Sequence, residues 1–266
     1  MRDVQSEPDD RNLDIDKVGV KDIRYPVTVR DKTEGVQRTV ASINMYVNLP
    51  RQYKGTHMSR FIELLAEFTD SKRLDLHSFS EIMEEMKRRL DAQSAHLEMT
   101  FPYFIRKEAP VSGSGGLMEY LCSFKGSING AGERDRIVQV SVPVNTLCPC
   151  SREIADFGAH NQRGEVRVAV RYRRFFWIED LIAAIESCGS SGVYSILKRD
   201  DEKFVTAQAY KNPRFVEDVV REVGLKLESD ETFTWFAVEA ENFESIHNHS
   251  AYAYIERDKR GTLKTS

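Results

Sequence analysis

In the stretch "SVPVNTLCPCSREIADFGAHNQRG", residues 141–164, two cysteines flank a proline and a histidine follows twelve residues after the first cysteine. Cys148 and His160 lie on either side of a polar turn that joins two segments of strand-like alternation. A thiolate and an imidazole brought together by such a loop can ligate a divalent metal, or act as nucleophile and base. Plain packing with turn chemistry competes with both, because a free cysteine behaves as a small hydrophobe. A thioredoxin-like redox pair needs two residues between its cysteines, and Cys148 and Cys150 have one.

A second cluster follows near the C-terminus, in "EAENFESIHNHSAYAYIE". Glu239 and Glu241 share one side of an apolar strand, and Glu244, His247 and His249 crowd beyond its end. Imidazoles and a carboxylate within six residues supply metal ligands or proton carriers, where the alternative is a hydrophilic turn. Two further carboxylates stand on helical segments. Glu202 in "DDEKFVTAQAY" is either an N-terminal helix charge or a ligand. Glu217 in "NPRFVEDVVREV" borders an apolar face made by Phe215, Val216, Val219, Val220 and Val223. It is either a surface charge or a bidentate acceptor for a guanidine-like N–H edge. Arg51, Lys54 and Arg60 surround His57 at the mouth of a helix. Amides and cations there can hold an anion, and Thr56 and Ser59 can equally serve as caps. No P-loop or dinucleotide fingerprint occurs.

The elements that must position these groups read from periodicity. Ile23, Tyr25, Val27 and Val29 alternate, as do Ala41, Ile43, Met45, Val47 and Leu49, with the hairpin turn "DKTEG" between them. Met58, Phe61, Ile62, Leu65 and Phe68 recur at helical spacing, and Phe79, Ile82, Met83, Met86 and Leu90 mark a second helix. "HLEMTFPYFIR" and "LMEYLCSFKGSI" add two strands. Val138, Val140, Val142 and Val144 open a second half, followed by Val166, Val168, Val170 and Tyr172. Helices at 178–188 and 212–223 and a closing strand "TFTWFAVEAENF" complete it. Both halves read ββ-αα-β, the first with an extra strand, which predicts an α+β architecture of antiparallel sheet with helices on one face. The expected division is an acidic tail over 1–16, halves over 17–130 and 131–256, and a polar tail over 257–266.

With 266 residues, 41% of them hydrophobic, the chain has ample material for a core. Its net charge of -4 argues against broad binding to nucleic-acid phosphates. No run approaches the roughly 20 apolar residues of a membrane span, and the N-terminus lacks an apolar signal core. A cytoplasmic protein is therefore expected, where thiols stay reduced and Cys122 and Cys188 are buried hydrophobes.

"KGTHMSRF", "PVNTLCPCSREIADFGAHNQRG", "DEKFVTAQAYKNPRFVEDVVREV" and "ENFESIHNHSAYAYIE", in that order across residues 54–256, resemble the signatures of the type IB GTP cyclohydrolase I family. The resemblance implies the tunnelling fold, with a sheet-and-two-helices unit duplicated in one chain, and a homotetramer with active sites at subunit interfaces. It implies conversion of GTP and water to formate and 7,8-dihydroneopterin triphosphate, the entry to folate. One divalent metal per site is implied, manganese or iron, with zinc also accepted. Carried over, Cys148, His160, Glu202 and His247 match metal-site positions, with Glu244 as a ligand or proton carrier. Glu217 matches the glutamate that anchors the purine's N–H edge. His160, His247 or His249 would move protons, and Arg51, Lys54, Arg60 and His57 would hold the triphosphate. Cys150 takes no role. The rivals are an NADPH-dependent nitrile reductase on the same fold, with its cysteine as a covalent nucleophile, and a non-catalytic purine- or pterin-binding protein.

Overall fold

The computed structural model describes residues 5, 7–71 and 76–261. The expected tails fall partly outside them, at 1–4, 6 and 262–266. The strands are β1 (Ile15–Asp31), β2 (Gly35–Leu49), β3 (Ala95–Glu108), β4 (Gly115–Ile128), β5 (Arg134–Leu147), β6 (Asn161–Tyr172), β7 (Phe233–Asn242) and β8 (Ala251–Asp258). They are hydrogen-bonded in chain order in one sheet. The helices are α1 (Met58–Ser71), α2 (Leu76–Arg89), α3 (Pro149–Ile154), α4 (Ile178–Glu186), α5 (Arg199–Lys211) and α6 (Val216–Ser229). The α+β expectation holds.

The chain divides into two compact units, Met1–Pro102 with Ser123–Val138 and Tyr103–Cys122 with Gln139–Ser266. In the first, the β1–β2 hairpin turns where Asp31 Oδ1 accepts the N–H groups of Thr33 and Glu34, at 2.8 and 2.7 Å. Gly35, at φ +79°, supplies the left-handed residue that brings the chain back. Alternation along β2 buries Ala41, Ile43, Met45, Val47 and Leu49, and β3 pairs with it from Ser42↔Thr100 to Val47↔Ala95. Phe61, Leu64 and Leu65 of α1 and Phe79, Met83 and Met86 of α2 are buried in the same core. The Phe124 ring meets Phe79 and Phe101 edge-on, at 5.8 and 5.4 Å between centroids. That arrangement suits the ring quadrupoles.

The second unit repeats this logic. β6 pairs with β7 through Val166↔Ala240, Val168↔Val238 and Val170↔Phe236, all buried. Leu181, Ile182 and Ile185 of α4 and Val219, Val220, Val223 and Leu227 of α6 are buried with them. This half is longer than the expected ββ-αα-β. Its order is β5-α3-β6-α4-α5-α6-β7-β8. Helix α5, the helical segment expected around Glu202, buries only Asp201 and Ala209, so it has no apolar stripe to count it among the core helices. Strand β8 pairs with β7 from Trp235↔Asp258 to Asn242↔Ala251 while both its faces stay largely open.

Among the described residues, no helix is long and apolar enough to cross a membrane. Cys122, Cys148, Cys150 and Cys188 are all free. Cys122 and Cys188 are buried, and burial pushes both thiols up from their ordinary value, as expected of inert core cysteines.

Candidate active site

Cys148 stands at the end of β5 and caps α3. Its Sγ accepts the Ser151 N–H at 3.4 Å, and Pro149 occupies the first helical turn. The Cys148 N–H donates to the His160 carbonyl at 3.1 Å, and the His160 N–H donates to Ser151 Oγ at 3.1 Å. Three hydrogen bonds thus close the base of the loop and bring Cys148 and His160 together. Cys150, in the first turn of α3, is exposed.

Three oxygen-bearing groups surround the His160 ring at one nitrogen. Nδ1 lies 3.0 Å from Gln162 Oε1, 3.4 Å from Ser245 Oγ and 3.9 Å from Glu244 Oε2. Gln162 is nearly buried, and its Nε2 donates to Thr146 Oγ1 at 3.1 Å. The 243–250 turn between β7 and β8 is anchored by the Phe243 N–H, which donates to Arg163 O at 2.9 Å. It carries Glu244, His247 and His249, and the last two rings stack with centroids 5.2 Å apart.

Helix α6 enters the same region because the Arg214 N–H donates to Leu147 O, the last residue of β5, at 3.0 Å. Asn212 holds that lead-in by donating to the carbonyls of Gly189 and Ser190, at 3.1 and 3.3 Å. Glu217 falls in the first turn of α6, beside Asp218, whose carboxylate accepts the Phe215 N–H at 2.9 Å. The result is one open cleft of about 280 Å³ lined by Cys148, His160, Glu217, Glu244, His247 and His249. That is the lower end of small-molecule sites, about 300–1,000 Å³, and suits a heterocyclic base whose substituents extend into solvent.

Glu202 sits elsewhere. It is exposed on α5 and lies outside the lining of this cleft. Its neighbour Asp201 is fully buried and fixes the helix start. Asp201 Oδ1 accepts the N–H groups of Val111 and Ser112, and Oδ2 accepts Ser112 Oγ and the Lys198 N–H, all at 2.6–2.9 Å. Burial pushes this carboxyl up, yet the bonds from Ser112, Lys198 and Val111 outweigh it and hold it below the usual range. Glu239 and Glu241 are paired with Arg167 on the sheet, the guanidinium meeting Glu239 closely and Glu241 at 3.5 Å.

Arg51, Lys54, His57 and Arg60 belong to the other unit. The Arg51 N–H donates to Asp14 Oδ1 at 2.8 Å, and the Lys54 N–H to Glu7 O at 2.9 Å. The Arg60 guanidinium donates to Arg89 O, at the end of α2, at 2.9 Å.

Sequence reasoning missed Gln162, Arg214 and Tyr252, which also line the cleft. Gln162 stood in the quoted "AHNQRG" as turn composition only, and Arg214 as the start of a helix. A backbone hydrogen bond, invisible in sequence, brings Arg214 to the site.

Cys148, His160, Glu244, His247 and His249 offer sulfur, nitrogen and oxygen donors of the kind that bind first-row divalent metals, so the donor set fits such an ion in chemistry. Among the described residues, no three His, Cys, Asp or Glu side chains already converge to hold one.

Solved structures with this architecture include a uricase from Bacillus fastidious, with a TM-score of 0.57 at 7% identity, covering 92% of this chain and 93% of that one. A hyperthermostable mutant of Bacillus sp. TB-90 urate oxidase gives 0.53 at 9% identity, over 93% and 99%. At such identity the likeness is one of fold, and that fold is the tunnelling fold. Residues 1–253 match the family described as type I GTP cyclohydrolase FolE2. The GTP cyclohydrolase FolE2 of Syntrophobacter fumaroxidans is 60% identical over 259 residues, 97% of this chain and all of that one. That of Geotalea uraniireducens is 59% identical over 260 residues, 98% and 94% of the two chains. That of Geobacter sulfurreducens is 58% identical over 260 residues, 98% and 99%. The chain belongs to the type I GTP cyclohydrolase FolE2 family.

Proposed function

We propose that the protein is a GTP cyclohydrolase I of the type IB class. It converts GTP and water to formate and 7,8-dihydroneopterin triphosphate at the entry to folate. The observation that carries this reading, beside family membership over residues 1–253, is the single cleft shared by Cys148, His160, Glu244, His247, His249 and Glu217. The Glu217 carboxylate, acceptor-only when ionised, receives the N1–H and 2-amino N–H of guanine and fixes the base in the cleft. Water adds at C8 and the imidazole ring opens to a formamide. A second water cleaves it to formate and a free amine, and one water is returned when the rearranged ribose carbonyl condenses with that amine to close the pterin ring. Each stage moves protons, a task for the imidazole of His249, and for that of His160 while its ring carries no ion. Arg51, Lys54, Arg60 and His57 are assigned to the triphosphate as a cationic group near a helix mouth.

A divalent ion, manganese or iron and also zinc, supplies Lewis-acid activation of water when bound. Cys148, His160, His247 and Glu244 would hold it. Glu202 is assigned as a further donor, and its exposure outside this cleft suits service to a neighbouring copy. The homotetramer with interfacial sites that the family resemblance implies is proposed with it, and the four free thiols suit the cytoplasm.

The test is incubation of metal-stripped protein with GTP and each metal separately, following formate release, bound metal and pterin fluorescence after oxidation. Formate and pterin are expected with manganese. Activity with zinc alone, and none with fully bound manganese, would refute the type IB assignment. NADPH-dependent nitrile reduction in place of formate release would instead favour the reductase, and GTP binding without turnover the binding protein.

A further inference from the structure

The geometry points to Gln162 as a positioning residue that holds the proton of the neutral His160 ring on Nδ1, leaving the lone pair on Nε2. The inference rests on the cleft being the active site. Gln162 Oε1 lies 3.0 Å from His160 Nδ1, while the other end of the same amide donates to Thr146 Oγ1 at 3.1 Å. Thr146 is fully buried and Gln162 is 6% exposed, so solvent has little access to this pair.

The opposite amide orientation would aim an NH₂ donor at Nδ1 and put the ring proton on Nε2. One of the two remaining neighbours of Nδ1 opposes that choice. Glu244 Oε2 lies 3.9 Å from the same nitrogen, and a carboxylate oxygen is foremost an acceptor. A lone pair on Nδ1 would face that acceptor, whereas an N–H there points at it. Ser245 Oγ, at 3.4 Å, can accept as well as donate and so opposes neither. Amide and carboxylate together therefore favour Nδ1–H. The consequence is chemical: Nε2 becomes the only ring nitrogen able to take a proton or donate a lone pair to an ion. Fixing a ligand's tautomer through its second nitrogen is a general device of histidine sites.

The decisive measurement is the 15N solid-state NMR spectrum of metal-free, full-length protein labelled at histidine. It is recorded at a pH where the imidazoles are neutral, with His160 assigned by its loss in His160→Gln. The wild type is expected to show His160 protonated at Nδ1, and Gln162→Leu to shift it toward Nε2–H. Gln162→Glu keeps an acceptor at Nδ1 and should retain the wild-type tautomer, which also keeps the test open should the leucine variant not fold. Manganese titrations followed by EPR supply a second readout. Gln162→Leu should weaken the dissociation constant by roughly 10–100-fold, the range for such supporting contacts, and Gln162→Glu should recover most of it. An Nε2–H ring in the wild type, or the same tautomer and affinity in all three proteins, would overturn the inference. The NMR result needs no turnover, so an inactive wild type would sink the cyclohydrolase reading without touching it.

Discussion

Glu217→Gln separates a substrate anchor from an ordinary helix charge. Glu217 lies in the first turn of α6, exposed toward the cleft that also holds Cys148 and His160. As a helix charge alone it would contribute about 0.3–1 kcal/mol to stability through the helix dipole and nothing to GTP affinity. As an anchor it accepts two N–H groups from guanine, and hydrogen bonds to a charged group are worth about 1.5–3 kcal/mol. Glutamine offers one acceptor and one donor, so the expected loss of affinity is roughly 10- to 150-fold. Calorimetric titration with GTP measures it directly, and inosine triphosphate, which lacks the 2-amino group, sharpens it. The wild type should prefer GTP to the inosine nucleotide, and the variant should lose most of that preference. Asp218→Asn is the matched control. Asp218 caps the helix through the Phe215 N–H, so its loss should lower the melting temperature and spare affinity. Unchanged GTP affinity in Glu217→Gln, with GTP still preferred over the inosine nucleotide, would refute the anchor.

Cys148→Ala should abolish turnover and lose about 0.5–2 kcal/mol of stability with the cap on α3. Cys148→Ser should restore stability but not turnover, and wild-type rates in either variant would remove the thiol from the site. Gly164→Ala should destabilise by roughly 1–3 kcal/mol, because its Cβ would meet Glu241 O at 2.9 Å and Asn242 Oδ1 at 2.6 Å; thermal denaturation checks it, and an unchanged midpoint would show that β7 yields freely. Glu85 is held down to about 2, by Arg88 first and then Arg89. Because its folded value is depressed, its contribution is present above the unfolded carboxyl range near pH 4 and fades as pH falls towards 2. The stability difference between wild type and Glu85→Gln, at most about 1 kcal/mol for so solvated a cluster, should vanish over that window and shrink in high salt; a pH-independent difference would contradict this.

The pairing of Cys148 with His160 was legible because both flank one loop between consecutive strands, and strand ends are where such loops must close. Glu244, His247 and His249 were legible for the same reason at the end of β7. Helix α5 was legible only as the helical segment around Glu202 and was left out of the ββ-αα-β pattern, since its buried positions are an aspartate and an alanine, and burying a hydrogen-bonded carboxylate leaves no apolar period. Strand β8 was obscured because "AYAYIERD" meets solvent on both sides and its pairing with β7 is made by backbone. Placement of Glu202 outside the cleft was equally hidden. Four hydrogen bonds to Asp201 decide where α5 starts, and three of them come from two residues some ninety positions away in sequence. Gln162 carried no signal of its own, because its part depends on which end of an amide meets which neighbour.

The three hydrogen bonds at the base of the Cys148–His160 loop make the interval between these residues a poor ruler of their separation in space. Closure is completed by Ser151, and the rest of the loop projects outward, with Phe157 95% exposed and Gly158 turning the chain at φ +73°. Residues grafted between 155 and 158 would lengthen the projecting tip while both donors stayed seated on their strands. A search keyed to a fixed twelve-residue interval would pass over such a chain, whereas one keyed to Cys-x-x-Ser at one strand end and histidine at the next would find it. The same tip is a natural point for attaching a reporter group beside the cleft without entering it.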